Sequence, residues 1–176
     1  ALDLLENQVL PLNPSSEDVI GRLVAAKIVS EGEQWRDKGS ETQTLLEQVL
    51  KRNPQADDCY LAAATWLQGH HRKHEAAELL TGALHASPDE PRLAASLGQV
   101  KMQMGREEEA RDLFRAAFDR DPFNVRTSNM LEMLDVLDGL KTQEAGGCVL
   151  RYEDRRDGLL ASYAGEFLTN DYPRLC

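Results

Sequence analysis

Apolar residues recur along most of this chain at intervals of three and four positions, the spacing that places them on one face of an α-helix. In the middle of the chain these helical stretches come in pairs, and a proline marks the end of each pair. Pro54, Pro88 and Pro122 lie 34 residues apart and bound two units of equal length, residues 55–87 and 89–121. A fixed period of this size predicts a stacked array of helix pairs.

The two units carry similar residues at the positions where helices pack. Each has a small residue in its first helix, and its second helix has small residues next to large apolar ones. The aligned pairs are Ala64 with Gly98, Ala76 with Ala110, Leu80 with Phe114, Ala83 with Ala117, and Leu84 with Phe118. Small side chains let two helix backbones approach closely, and a large side chain fills the space beside them. We therefore expect the helices around Gly98 and Ala110 to cross as neighbours.

Residues 91–122 resemble the tetratricopeptide repeat (TPR). The residues that carry this resemblance are Leu97, Gly98, Gly105, Ala110, Phe114, Ala117 and Pro122. The resemblance implies antiparallel helix hairpins stacked into a TPR-like α-solenoid, so the predicted fold class is all-α, with a short strand and a helix appended at the C-terminal end. It also implies a scaffold that binds a protein or peptide partner through a concave face lined by the first helices.

The segments before the two units are less regular. Residues 1–14 end in the pattern that precedes Pro54, so we interpret them as the end of another repeat whose first helix is missing. Because the chain also starts with Ala rather than Met, an excised piece of a longer protein is expected. Residues 15–53 then form a longer repeat, with Ser16 and Ser40 as predicted helix caps.

The extra length of this repeat falls in residues 31–39, around Trp35. Trp35 has two interpretations: it packs over the extension, or it is an exposed aromatic residue of a binding surface.

After the second unit the repeat pattern ends. Residues 123–140 predict one capping helix with Asn124 at its start, and residues 141–147 are interpreted as a linker. Residues 148–153 predict a short strand, which is unstable by itself and so is expected to be loosely held, docked on the helices or paired with another copy. A helix over 156–170 follows. The predicted domains are residues 1–140, the linker 141–147, and a strand–helix fragment of a following domain at 148–176.

This C-terminal segment resembles the opening strand and helix of the gluzincin zinc peptidase domain that follows TPR arrays in some bacterial proteins. The residues that carry the resemblance are 149–152, the turn 154–157, and 163–175. The catalytic His-Glu-x-x-His motif of that family occurs nowhere in the sequence, so the resemblance implies a domain cut before its zinc site.

Composition and charge limit the possible partners. The net charge of −10 argues against a nucleic-acid partner, and no apolar run has the length of a membrane span. The three cysteines form neither a metal-spaced set nor an even disulfide framework, and Cys59 is expected to be buried as a small apolar residue.

Few residues suggest chemistry. His70, His71 and His74 precede Glu75, a cluster that either captures a metal or forms a solvated turn; His71 occupies the turn position where the other unit has Gly105. The sequence contains no glycine-rich nucleotide loop and no Gly-x-Ser-x-Gly motif. We therefore expect no enzymatic activity, no cofactor and no metal site in these residues.

The phase of the repeats predicts which residues face the ligand. The expected concave-face residues are Leu61, Thr65, Gln68, Arg92, Ala95, Gln99, Arg126 and Asn129. TPR domains that bind chaperone C-terminal tails have Lys and Asn where this chain has Leu61 and Thr65, so that role is not expected. Arg92 and Arg126, one repeat apart, either grip an acidic or carboxylate-bearing segment or are ordinary solvated charges.

Two functions follow from these observations. The first is a protein-interaction module that binds a partner through its concave face. The alternative is an N-terminal scaffold that positions an adjoining zinc peptidase domain of the same chain.

Overall fold

The structure is a computed structural model, and it describes residues 2–172. The helices are α1 (Leu2–Leu4), which continues as a π-helical turn over Leu5–Val9, then α2 (Glu17–Glu31), α3 (Glu41–Arg52), α4 (Asp57–Gly69), α5 (Lys73–Ala86), α6 (Pro91–Gln103), α7 (Glu107–Arg120), α8 (Val125–Asp138) and α9 (Asp154–Asn170), and the strands are β1 (Lys141–Ala145) and β2 (Cys148–Tyr152). The chain divides into two compact units, and the boundary between them in the sequence falls between Ser128 and Asn129.

The first unit consists of packed helices whose ends follow the predicted signals. The side chains of Ser16, Ser40 and Asn124 accept hydrogen bonds from the backbone N–H groups three residues further on, at 3.4, 3.1 and 3.2 Å. Such bonds satisfy N–H groups that a helix leaves unpaired at its start. The three predicted caps are therefore confirmed.

The crossing of α6 and α7 has the predicted form. A Cβ atom placed on Gly98 would lie 2.9 Å from the ring of Phe114, so the absence of a side chain at Gly98 lets this ring lie close to α6. Gly98, Ala110 and Phe114 are all buried. The expectation that these two segments cross as neighbours is confirmed.

The turns inside the two regular hairpins are alike. Gly105 has a φ of 73° and His71, at the equivalent position, a φ of 60°. In both turns the next residue donates its N–H to a carbonyl five residues earlier: Arg72 to Leu67 and Arg106 to Lys101, each at 2.9 Å. This bond is typical of a helix that ends in a left-handed residue.

The long repeat is built differently from the other two. Its first helix, α2, packs closely on α4. The absence of a side chain at Gly21 permits this, since a Cβ there would collide with the carbonyl oxygen of Cys59. The predicted extension forms a 3₁₀ helix over Gly32–Arg36, and Trp35 within it is buried in the core. The packing interpretation of Trp35 is therefore confirmed, and the exposed one is wrong.

The second unit contains a feature that the sequence analysis missed. Residues 141–145, interpreted as part of a linker, form strand β1, which pairs antiparallel with β2 from Lys141 opposite Tyr152 to Ala145 opposite Cys148. Gly146 and Gly147 have φ values of 57° and 79°, which a two-residue hairpin turn of type I′ requires. The expectation of a lone strand is wrong, since β2 has a partner in its own chain.

Helix α9 covers one face of this hairpin. Its buried residues are Ala161 and Gly165, and a Cβ on Gly165 would lie 2.7 Å from the Nε2 atom of Gln143. The resulting ββα unit comprises elements from 141 to 170, while the division into domains at residue 140 stays a prediction. Residues 173–176, the end of the peptidase-like segment, lie outside the described residues.

Candidate functional site

The expected ligand-facing residues of α4 lie four and three positions apart on one side of the helix. Leu61 is half-buried and packs on the core, while Thr65 is exposed. The hydroxyl of Thr65 donates to the carbonyl oxygen of Leu61 at 2.8 Å, and Nε2 of Gln68 donates to the carbonyl oxygen of Ala64 at 3.2 Å. The polar groups on this part of the surface are thus directed back to their own helix.

The guanidinium of Arg92, at the start of α6, is held by two carboxylates. Its Nη1 lies 2.6 Å from Asp58 and its Nε lies 2.9 Å from Glu90. These hydrogen bonds, first that to Glu90 and then that to Asp58, raise the pKa of Arg92. Arg92 is therefore neutralised within the protein. A carboxylate ligand would have to compete with two internal carboxylates there.

The guanidinium of Arg126, one repeat further on in α8, has a neutral partner instead. Its Nη2 donates to Oε1 of Gln99 at 2.8 Å. The structure therefore brings together two of the expected residues, Arg126 and Gln99, and gives Arg126 an environment different from that of Arg92. Ala95 is half-buried on the same helix as Gln99, and Asn129 is exposed on α8 in the second unit.

Two acidic residues of this surface were missed by the sequence analysis. Asp58 occupies the position 34 residues before Arg92, so the two are equivalent residues of successive repeats. Because equivalent first helices are neighbours in a stack, opposite charges at this spacing predict an ion pair between repeats. That signal was available, whereas the short-range pair of Arg92 with Glu90 needed the geometry of the helix start.

Burial changes the acid–base behaviour of two residues beneath this surface. Burial first, and then the nearby negative charge of Glu90, raise the pKa of Asp57. Burial raises the pKa of the Cys59 thiol to about 12. Cys59 is fully buried, as expected, and stays protonated at neutral pH, so it is not a nucleophile.

The histidine-rich turn does not assemble a metal site. The His70 ring stacks on Trp66 with centroids 3.7 Å apart, and its Nδ1 lies 2.8 Å from the Trp66 carbonyl oxygen. Glu75 lies 2.5 Å from Arg72. Burial by itself would raise the pKa of the Glu75 carboxyl, but the hydrogen bond from Arg72, a backbone hydrogen bond and the positive charges of Arg72 and Arg36 together lower it. Among residues 2–172, no three His, Cys, Asp or Glu side chains lie close enough to hold a metal ion.

An open groove of about 470 Å³ lies beside this turn, lined by His71, Lys73, His74, Met104 and Arg106. Arg106 is neutralised by Glu109, 3.3 Å away, whereas Lys73 Nζ donates to the neutral Gln103 carbonyl oxygen at 3.1 Å and keeps its charge. The groove therefore carries less net positive charge than its lining residues indicate.

In the part of the chain that the structure describes, no helix is both long and apolar enough to cross a bilayer.

Comparison with known families supports the helical repeat. Residues 67–132 match a family model described as tetratricopeptide repeat. The matched segment runs from the end of α4 into α8 and includes both helices of the hairpin around Gly98. Together with the packed hairpins, this match shows a TPR-like, all-α repeat fold to which a short antiparallel hairpin and a helix are attached.

No curated protein matches the chain. The family match ends before β1, so the resemblance of residues 148–176 to a peptidase domain gains no support from it.

Proposed function

We propose that the first unit is a protein-interaction module, a scaffold that binds an extended peptide or a partner segment on the surface of its first helices, α4, α6 and the start of α8. The repeat fold and the family match favour this function, because stacked helix hairpins commonly present such a concave surface to peptides. Action by binding rather than by catalysis is supported by the sequence, which contains no zinc-peptidase, nucleotide-loop or nucleophile motif.

The observation that carries the proposal is the contrast between Arg126 and Arg92. Arg92 is neutralised by two carboxylates, whereas Arg126 donates to the uncharged Gln99. Since Gln99 uses its carbonyl oxygen in this bond, its NH₂ group is a further donor that takes no part in it. An exposed guanidinium beside an amide donor is a favourable arrangement for a carboxylate, because hydrogen bonds between charged groups are the stronger ones.

The ligand expected from this chemistry is a peptide with a free C-terminal carboxylate or an acidic side chain. We expect Leu61, half-buried on α4, to supply an apolar surface for a side chain of the same peptide, and the peptide to run past Thr65, Gln68 and Ala95 toward Gln99. Around Arg92 two carboxylates, Asp58 and Glu90, face one guanidinium, so the net charge there is negative. We therefore expect acidic ligand residues near Arg126 only.

A peptide library tests this function. The probe is a randomised peptide library with free C-terminal carboxylates, screened against the full chain beside the same library with amidated C-termini. Selected peptides are then measured by fluorescence anisotropy on the wild type and on Arg126→Ala. Loss of the charged hydrogen bonds should weaken binding about tenfold, which corresponds to about 1.4 kcal/mol.

The matched control is Arg115→Ala, which removes an exposed arginine from the second helix α7. It changes the net charge by the same amount, so a general electrostatic effect would weaken binding equally in both variants. We expect Arg115→Ala to stay within about twofold of the wild type. If the library yields no binding peptide, the proposed function is contradicted. If the two variants lose affinity equally, Arg126 is an ordinary solvated charge.

The alternative function, a scaffold that positions a zinc peptidase domain, stays a separate prediction. The sequence itself supplies no His-Glu-x-x-His motif. No contact among the described residues favours this function over peptide binding.

A further inference from the structure

Helix α9 has apolar side chains on two opposite faces. Its inner face, with Ala161 and Gly165, packs on the β1–β2 hairpin. Its outer face carries four large apolar side chains that are between 48% and 72% exposed: Leu159, Leu160, Tyr163 and Phe167. A helix that is apolar on both faces is normally covered on both, and a continuous exposed apolar patch of this kind indicates an interaction surface.

The spacing of the outer face indicates that another helix covers it. Residues 156, 160, 163, 167 and 170 follow one another at intervals of four, three, four and three. This spacing is that of a coiled-coil seam, in which residues at alternating intervals of three and four fit between the residues of a facing helix. We call these five residues the outer seam; Arg156 and Asn170 form its polar ends around an apolar centre.

The charges beside the outer seam favour one particular occupant. Arg155 and Glu166 are both exposed and lie on the same edge of the seam, toward opposite ends of the helix. Within residues 2–172 neither has an ion-pair partner or a side-chain hydrogen bond. A second α9 in antiparallel orientation places each Arg155 beside the other copy's Glu166, whereas in a parallel pair the two opposite charges lie at different heights along the helices and do not meet.

We propose that two copies of this chain associate through their outer seams, with the two α9 helices antiparallel. The centre of the contact is Leu160 against Tyr163 of the second copy, and each Arg156 lies over the other copy's Phe167, a favourable cation–π arrangement.

The expected association is weak. A seam of about two heptads buries less surface than a stable dimer needs, so the expected Kd is about 10–100 µM. At physiological ionic strength the repulsion between two chains of net charge −10 is largely screened beyond about 8 Å.

Sedimentation equilibrium of the full chain tests the apolar part of the proposal. The wild type should approach a dimer mass at several hundred micromolar, roughly ten times the expected Kd. Leu160→Glu, which puts a carboxylate at the centre of the seam, should weaken association at least about tenfold. The matched control is Leu12→Glu, at a leucine that is 86% exposed before α2, which should associate like the wild type.

A charge exchange tests the orientation without disturbing the apolar residues. Arg155→Glu and Glu166→Arg should each weaken association, and the double variant should restore it, because the two charges meet only between antiparallel copies. A wild type that stays monomeric at several hundred micromolar, unchanged association in Leu160→Glu, or a double variant weaker than both single ones would overturn the proposal. The first result would leave the outer seam to a different protein.

Discussion

At the scale of single residues, the turn inside each hairpin shows how a local backbone requirement selects the residue. The turn position needs a positive φ, which glycine adopts freely and which costs other L-amino acids about 1–2 kcal/mol. The second hairpin has Gly105 there, but the first has His71 at φ 60°. Since the two turns share the same hydrogen bonds, the first hairpin bears a cost that the second does not.

This comparison predicts that His71→Gly stabilises the protein. Relief of the left-handed conformation should raise the free energy of unfolding by about 0.5–1 kcal/mol, the gain being reduced by the greater freedom of glycine in the unfolded chain. Urea denaturation followed by circular dichroism measures it. The matched control is His85→Gly in the right-handed last turn of α5, which should instead lower stability by up to about 0.5 kcal/mol. A loss of stability in His71→Gly would contradict this account of the turn.

Burial could be predicted from the sequence where the repeat pattern applies, whereas roles that depend on a charge partner could not be predicted. Cys59 is buried at a position where the repeat pattern requires an apolar residue, but Trp35 lies in the extension outside that pattern, and the sequence left both of its interpretations open. Arg92 faces the surface as expected, but its effective charge is set by Asp58 and Glu90. Side-chain directions across two helices are fixed only by the packed structure, so the sequence could not distinguish Arg92 from Arg126.

At the scale of elements, the crossing of α6 and α7 depends on the absence of a side chain at Gly98. The Phe114 ring lies in the space that a Cβ would occupy. Gly82, in the interior of α5, provides a natural comparison, because nothing lies within 4 Å of the Cβ it would carry. The two glycines therefore differ in packing while both sit within helices.

We expect Gly98→Val to separate α6 from α7 and to lower the free energy of unfolding by about 2–4 kcal/mol, because its side chain overlaps a buried ring that cannot leave the core. Gly82→Val should change the free energy of unfolding by less than about 0.5 kcal/mol, since the helix propensities of valine and glycine differ by only a few tenths of a kcal/mol and the site is open. Thermal or urea unfolding of both variants measures this difference. Equal effects at the two positions would mean that the close crossing is unimportant.

Helix bounds could be predicted because prolines and caps mark them in the sequence, whereas strand β1 could not be found from apolar residues. Lys141, Thr142, Gln143 and Glu144 are polar, and only Ala145 of this strand is buried. The available signal was the Gly146-Gly147 pair beside a predicted strand, a common two-residue hairpin turn. Backbone pairing and the cover provided by α9, rather than side-chain pattern, hold this strand in place.

At the scale of the whole molecule, the repeat creates a surface from positions that are far apart in sequence. Asp58 and Arg92 lie 34 residues apart yet form an ion pair of 2.6 Å, and Gln99 and Arg126 meet at 2.8 Å. The stacked helices thus bring polar groups of two successive hairpins and of the helix that follows them onto the first-helix surface. Our central proposal is that this surface binds a peptide, with the carboxylate beside Arg126.

The most direct test of that proposal is a titration of the full chain with a library-selected peptide, followed by two-dimensional amide NMR. Binding to the first-helix surface predicts shift changes at Gln68, Gln99 and Arg126, in α4, α6 and the start of α8, because amide shifts respond to contacts made in the complex. Glu78 and Arg115, exposed on the second helices α5 and α7, should keep their shifts. Shift changes confined to α5 and α7 would contradict the account.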